Sequence, residues 1–215
     1  MFSSSRLARL AGLSFLAVGT TALVGAQEGA RATRLEVLLT TATALSESAR
    51  SSMTEEAGAI WREHGVIVDW LPTAAVRTVA PHRLRVLVVD QRPPNPESDR
   101  QFSVGELIRP SGSHPVALVS IESARRLVSS LRGRAGYELI AVDERRLGVV
   151  LGRALAHEIG HYLLDTHTHA RIGLMRPQFS ALEFTDPRDG IFALDADAAA
   201  WLRRRDVEKF AYAHR

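Results

Sequence analysis

Two histidines and a glutamate in the last third of the chain have the spacing of a metal-dependent hydrolase. His157 and His161 are four residues apart, so on a helix both rings lie on one face and can reach one metal ion. Glu158 points about 100° around the helix axis, beside the metal rather than onto it. This arrangement is typical of zinc sites in which the glutamate acts as general base. The pattern therefore predicts zinc-dependent hydrolysis with Glu158 as the catalytic residue.

The residues before this motif predict a helix that is mostly buried. Apolar residues recur at helical spacing from Leu147 to Leu155, and Asp143 can cap the start of the helix. Polar rings on a buried helix need partners, because burying unpaired polar groups is costly. A metal ion bound by His157 and His161 would supply that partner.

A third ligand must come from beyond this helix, because a catalytic zinc usually takes three protein ligands and one water. A continued helix would carry later residues away by about 1.5 Å each, so the chain has to bend back. Asp165 tolerates a positive φ better than the two leucines before it, and we expect the helix to end near Asp165. His167 and His169 can each follow such a turn to the metal. The turn chemistry favours His169, with His167 as the alternative.

The segment 157–175 resembles the metzincin metallopeptidases, especially a matrixin-like secreted bacterial group. The family motif is His-Glu-x-x-His-x-x-Gly-x-x-His, followed by a methionine in a tight turn under the metal. His167 has the family spacing, but Leu164 stands where the family has glycine. The run from His169 is similar to the matrixin-like ending, in which a small residue and then Gly-Leu-Met follow the last histidine. The resemblance implies that Met175 lies beneath the metal.

The resemblance also implies a function, a cofactor and a substrate site. It implies a zinc metalloendopeptidase that uses Zn²⁺ and a metal-activated water to hydrolyse a peptide or protein substrate. Metzincins bind an extended peptide along an edge strand beside the metal, which here corresponds to Val104, Gly105 and Glu106. An exposed edge offers unpaired N–H and C=O groups to a substrate backbone. The departure at Leu164 leaves an alternative, a catalytically inactive zinc-binding relative that acts as an exported binding module.

The remaining patterns predict an α+β fold in which helices pack on one twisted sheet. Strands are predicted at 35–40, 66–70, 84–89, 103–108 and 116–120, and helices at 46–64, 122–131, 143–165 and 194–214. The resemblance implies a zincin/metzincin-like single domain. Its mixed sheet would have an antiparallel edge strand and would pack against helices that include the active-site helix.

Composition and charge limit the classes of partner that the protein can be expected to bind. The chain has 215 residues, of which 46% are hydrophobic, enough for one domain with a sizeable core. It has no cysteine, which excludes disulfides and thiol catalysis. The net charge is +3, and the arginines are scattered among carboxylates rather than clustered with aromatic residues. We therefore expect no nucleic-acid partner.

The first 26 residues have the pattern of a secretory signal peptide. Arg6 and Arg9 form a positive start, an apolar run covers residues 10–24, and small residues up to Ala26 suit a cleavage site. We expect residues 27–215 to form the metallopeptidase domain, secreted or periplasmic. We also expect it to be a monomer without stable membrane association after signal cleavage.

Overall fold

The computed structural model describes residues 32–72, 82–91, 103–111, 114–131, 143–186 and 189–213, with side chains as far as residue 204. The signal peptide predicted for residues 1–26 lies outside these ranges, so it stays a prediction. The described elements, in chain order, are β1 (Thr33–Thr41), α1 (Glu47–Arg62), β2 (Val66–Pro72), β3 (Arg83–Val89), β4 (Gly105–Ile108), β5 (Val116–Ser120), α2 (Ile121–Ser130), α3 (Glu144–Leu163), α4 (Ala181–Thr185), a 3₁₀ turn (Asp189–Phe192) and α5 (Ala196–Ala213).

The five described strands form one mixed sheet in the order β2-β1-β3-β5-β4. The first four strands of this order run parallel, and β4 pairs antiparallel with β5 at one edge. Parallel strands are normally buried on both faces, and Leu35 and Val37 of the interior strand β1 are fully buried. The prediction of one domain with a mixed sheet and an antiparallel edge strand is confirmed, although β4 begins at Gly105 rather than at residue 103.

Helix α3 packs against α1 through two glycines on one face. A β-carbon at Gly148 would lie 2.4 Å from the Ala49 carbonyl oxygen, and one at Gly152 would lie 2.7 Å from that of Met53. Backbone cannot yield as a flexible side chain can, so only glycine allows the two helices to come this close. The indole N–H of Trp61 then donates to the Ala156 carbonyl at 3.1 Å. These contacts fix the position of α3 along α1.

A buried arginine holds the other side of α3. Arg153 is 2% exposed and forms a 2.6 Å ion pair with Glu56 of α1. Its Nη1 donates to the carbonyl oxygens of Glu183, Phe184 and Asp186 at 3.3, 3.0 and 2.7 Å. The guanidinium also lies 4.5 Å from the centre of the Phe192 ring. Arg153 thus ties the C-terminal end of α4 to α3.

The helix boundaries follow local capping signals. Asp143 accepts a hydrogen bond from the Arg145 amide at 3.0 Å, which confirms it as the N-cap of α3. Helix α4 was not predicted, although Ser180 and Glu183 form a capping box that the sequence displays. Among the described residues, no helix has both the length and the apolar character needed to cross a bilayer.

Candidate metal centre

The last turns of α3 bring the motif residues together. His157 and His161 face one another across one helical turn, with their Nε2 atoms 3.0 Å apart. His161 is 7% exposed and Glu158 is 6% exposed, whereas His157 is partly exposed. This part of the helix therefore combines a buried backbone with polar rings that open toward one point.

A turn at the end of α3 directs the chain back toward these rings. Asp165 has a φ of 50°, and among the described residues it is the only one other than glycine with a positive φ. The Thr166 amide donates to the His161 carbonyl and the Asp165 amide to the Tyr162 carbonyl, both at 3.3 Å. This is the Schellman pattern of a helix C-terminus, with Asp165 in the place usually taken by glycine. The expectation that the helix ends near Asp165 with positive φ is confirmed.

This turn brings His169, rather than His167, to the two helical histidines. The ring centre of His169 lies 5.4 Å from that of His157 and 4.9 Å from that of His161. One nitrogen from each of the three rings lies within 4.8 Å of the other two, a spacing that allows a shared metal ion. His167 is exposed and is not part of this group.

Backbone carbonyls orient both helical rings. The Nδ1 atoms of His157 and His161 donate to the carbonyl oxygens of Leu174 and Thr166, at 2.7 and 2.8 Å. Because a carbonyl only accepts, each neutral ring carries its proton on Nδ1 and keeps a lone pair on Nε2. Such partners are the usual support for histidines that bind metal. Backbone carbonyls fill this role at both rings.

The environment of His161 keeps the ring neutral. Burial lowers the pKa of His161 to about 4, and the neighbouring His157 adds to the shift. The hydrogen bond to Thr166 acts in the opposite direction but is outweighed. Since a metal ligand must be unprotonated, His161 is ready to bind a cation at neutral pH.

Met175 packs against α3, and the position beneath the metal that the resemblance implies for it stays a prediction. It is 3% exposed, and a β-carbon at Gly160 would come within 2.3 Å of its sulfur. Gly173 has a φ of 74°, and a β-carbon there would lie 2.3 Å from the Ala193 carbonyl oxygen. The Leu174 amide donates to the same oxygen at 2.8 Å. The turn is therefore held from both sides, which places the carbonyl that His157 contacts.

The edge strand β4 lies directly against Glu158. A β-carbon at Gly105 would come within 2.9 Å of both Cγ and Oε1 of Glu158, so a larger residue here would have to displace the Glu158 side chain. Val104 precedes the strand, is 6% exposed and accepts a hydrogen bond from the Ser120 amide through its carbonyl, whereas Glu106 is partly exposed. Of the three residues predicted to contact substrate, Val104 turns its side chain into the core.

Arg109 is a residue near this centre that the sequence patterns did not reveal. It follows β4 and contacts the end of α3, 52 residues further along the chain. No local pattern links two such distant segments, because their contact depends on the completed sheet. Tyr162, which helical geometry places away from the metal, accepts a hydrogen bond from the Arg83 amide at 3.1 Å.

The fold is similar to that of archaemetzincin from Methanopyrus kandleri, with a TM-score of 0.51. The match covers 85% of this chain and 99% of archaemetzincin, at 16% sequence identity. The GM1-bound form of the ECX AB5 holotoxin matches over 79% of this chain and 78% of that one, with a TM-score of 0.47 and 11% identity. No protein-family model matches the chain, and no curated protein matches its sequence. The likeness to archaemetzincin extends over the domain and shows a zincin-like fold.

Proposed function

We propose that this protein is an exported zinc-dependent endopeptidase of the matrixin-like metzincin type. The observation that carries the proposal is the convergence of three imidazole nitrogens, from His157, His161 and His169, within 4.8 Å of one another. Three neutral histidine ligands with one open position are a common donor set for catalytic zinc. The name of archaemetzincin places that structural neighbour in the group that the sequence resembles.

The residues of the site fit a zinc ion. Two rings have carbonyl partners on Nδ1, and their Nε2 atoms point toward one place, where a cation could bind. The turn before Met175 supports the ring of His157 through the Leu174 carbonyl, and Met175 itself packs against Gly160. When bound there, zinc would polarise a substrate carbonyl and lower the pKa of a water molecule to about 7.

Glu158 is the residue proposed to move protons. It is next to the first histidine, and its carboxylate lies against the edge strand, where a substrate backbone would run. A carboxylate in this position can take a proton from the attacking water and deliver it to the leaving amine. The chemistry therefore needs no further acid or base from the chain.

Strand β4 is the proposed substrate platform. It is the edge of the described sheet and pairs with β5 on one side, so its other side can pair with an extended peptide. Gly105 brings the backbone of this strand within contact of Glu158. A peptide added beside Gly105 and Glu106 would pass the catalytic carboxylate, which favours an endopeptidase with a peptide or protein substrate.

The decisive experiment combines zinc binding with replacement of Glu158. Purified protein, expressed without residues 1–26, should bind one zinc ion and cleave members of a broad peptide library. Glu158→Gln should lower the cleavage rate by about 10²–10⁴-fold, because it removes a general base, while zinc affinity stays near that of the wild type. Zinc binding without any cleavage would favour the inactive binding module. Absence of zinc binding would reject both readings.

The third ligand has its own matched pair of variants. His169→Ala should weaken zinc binding by more than the roughly 10–100-fold that is typical of losing a supporting residue. His167→Ala, two residues away and exposed, should leave zinc affinity within about twofold, as is usual for a surface change. A larger loss for His167→Ala would assign the third ligand to His167.

A further inference from the structure

Arg109 connects the edge strand to the end of the active-site helix. It directly follows β4, and its side chain is 28% exposed. One arm of the guanidinium donates to the His161 carbonyl at 2.8 Å, and the other arm lies 3.1 Å from a carboxylate oxygen of Asp165. The planar fork of arginine holds two such acceptors in a fixed geometry, which the ammonium group of lysine does not provide.

The two contacts act on the turn that carries the third histidine. The carbonyl of His161 is one of those left over at a helix C-terminus, where a cation also interacts favourably with the helix dipole. Asp165 holds a positive φ of 50°, a conformation that costs free energy for residues other than glycine. Arg109 therefore stabilises both the helix end and the residue that bears the backbone strain.

This turn determines two features of the proposed metal centre. Thr166, next to Asp165, both donates its amide to the His161 carbonyl and accepts the Nδ1 proton of the His161 ring. The chain then reaches His169 only three residues later. A shift of this turn would change the orientation of the His161 ring and the position of the His169 ring at the same time.

We propose that Arg109 is a positioning residue for the metal site, which takes over the role that a glycine in the turn would otherwise fill. It fixes Asp165 in the left-handed conformation and thereby holds His169 within reach of the metal. Because Arg109 directly follows β4, it connects the strand proposed to receive substrate with the turn that carries His169. The inference rests on the proposed function, since it concerns the ligands of that same site.

The test measures zinc affinity by competition with a chelator, alongside the melting temperature of the zinc-free protein. Arg109→Ala should weaken zinc binding by about 10-fold or more, the size of effect usual for residues that orient a ligand. Its zinc-free melting temperature should fall only slightly, which would show that the variant still folds. Arg34 is the matched control, because it forms an exposed ion pair with Asp69 at the far side of the sheet.

Two substitutions of Asp165 separate the charge from the backbone conformation. Asp165→Asn keeps the tolerance for positive φ and loses the ion pair, so it should weaken zinc binding less than Arg109→Ala. Asp165→Gly adopts positive φ without strain. In that background, the loss caused by Arg109→Ala should shrink from about 10-fold to about 3-fold, because only the contact to His161 remains to be lost.

The outcomes distinguish this inference from the function on which it rests. If wild-type protein binds zinc and Arg109→Ala binds it as tightly as Arg34→Ala does, the positioning role is wrong and the metal site stands. An undiminished effect of Arg109→Ala in the Asp165→Gly background would also reject it. Wild-type protein that binds no zinc would overturn the proposed function and this inference together.

Discussion

The two halves of α3 are held in place by different kinds of contact. The first half, residues 144–155, is fixed by shape: Gly148 and Gly152 bring its backbone against α1, and the buried Arg153 closes the other side. The second half, residues 156–163, carries the site and is held by directional hydrogen bonds to His157 and His161. Changes in the first half should therefore alter stability, and changes in the second should alter zinc binding.

The difference reflects what each half has to do. Close packing gives a rigid base but leaves no polar atom available for a ligand. The second half must present ring nitrogens to a common point, so carbonyls from the turns at Thr166 and Leu174 provide its support. The rigidity of the first half lets the second hold a cluster of polar rings.

The largest effect that would test this division is expected from Arg153→Met. The change keeps much of the volume but leaves Glu56 without its 2.6 Å partner and removes the Arg153 donor from three carbonyls. We expect the free energy of unfolding to fall by about 3–5 kcal/mol, as for other broken buried pairs. Chemical denaturation of the zinc-free protein would measure it, and zinc affinity of the folded protein should stay within about threefold of wild type.

A matched arginine on α1 provides the control for this loss. Arg50 forms an exposed pair with Glu47 at 2.8 Å, so Arg50→Met should change stability by no more than about 0.5 kcal/mol. Equal losses of stability in the two variants would mean that the burial of Arg153 adds nothing to the free energy of unfolding. A large loss of zinc affinity in Arg153→Met would show that the first half of α3 affects zinc binding as well as stability.

A smaller effect is expected at the contact between α1 and α3. Alanine should destabilise the protein at one glycine and stabilise it at another. Gly148→Ala places a methyl group 2.4 Å from a backbone oxygen and should cost about 1–3 kcal/mol. Gly58→Ala on the facing helix meets only the Trp70 ring nitrogen, at an ordinary 3.8 Å. It should stabilise the protein by about 0.5–1 kcal/mol, because alanine favours helix. Thermal and chemical unfolding of both variants would check this, and a stabilised Gly148→Ala would refute the close contact.

The third prediction concerns the stability cost of the site itself. His161 has a pKa of about 4 in the folded protein and about 6.5 when unfolded, so the unfolded chain binds more protons between these values. The stability of the zinc-free protein should therefore fall as the pH drops from 6.5 to 4. His64, whose pKa is also lowered by burial, contributes in the same direction.

Denaturation curves recorded between pH 7 and pH 4 would measure this dependence. A His161→Gln variant isolates the contribution of one ring, and its stability should vary less steeply with pH than that of the wild type. His64 remains in both proteins and cancels from the comparison. Equal pH slopes in the two proteins would mean that His161 is not held neutral.

Local patterns predicted the parts of the molecule that depend on neighbouring residues. The helical spacing, the cap at Asp143 and the turn at Asp165 were all confirmed, because each depends on a few consecutive residues. At the start of α5, Asp195 accepts a hydrogen bond from the Ala198 amide, which is a contact of the same local kind.

The contacts that complete the site were not predictable in this way. Arg109 meets the end of α3 across 52 residues, and Arg153 meets Glu56 across 97. An arginine in a chain with many arginines has no local signal that separates a buried partner from a surface charge. Only the sheet order, which brings β4 beside α3, selects Arg109 for its position.

The smallest effect is expected in the second half of α3, at a residue whose side chain points away from the proposed metal-binding histidines. Tyr162 lies next to His161, but its hydroxyl accepts a hydrogen bond from the Arg83 amide at the start of β3. Tyr162→Phe keeps the ring and removes this bond, so it should cost about 1 kcal/mol in the free energy of unfolding. Zinc affinity and the cleavage rate at saturating zinc should stay within about twofold, since the hydroxyl faces the sheet. A tenfold fall in the cleavage rate would show that the Tyr162 hydroxyl acts on the substrate. The assignment of this side of α3 to structural support would then be wrong.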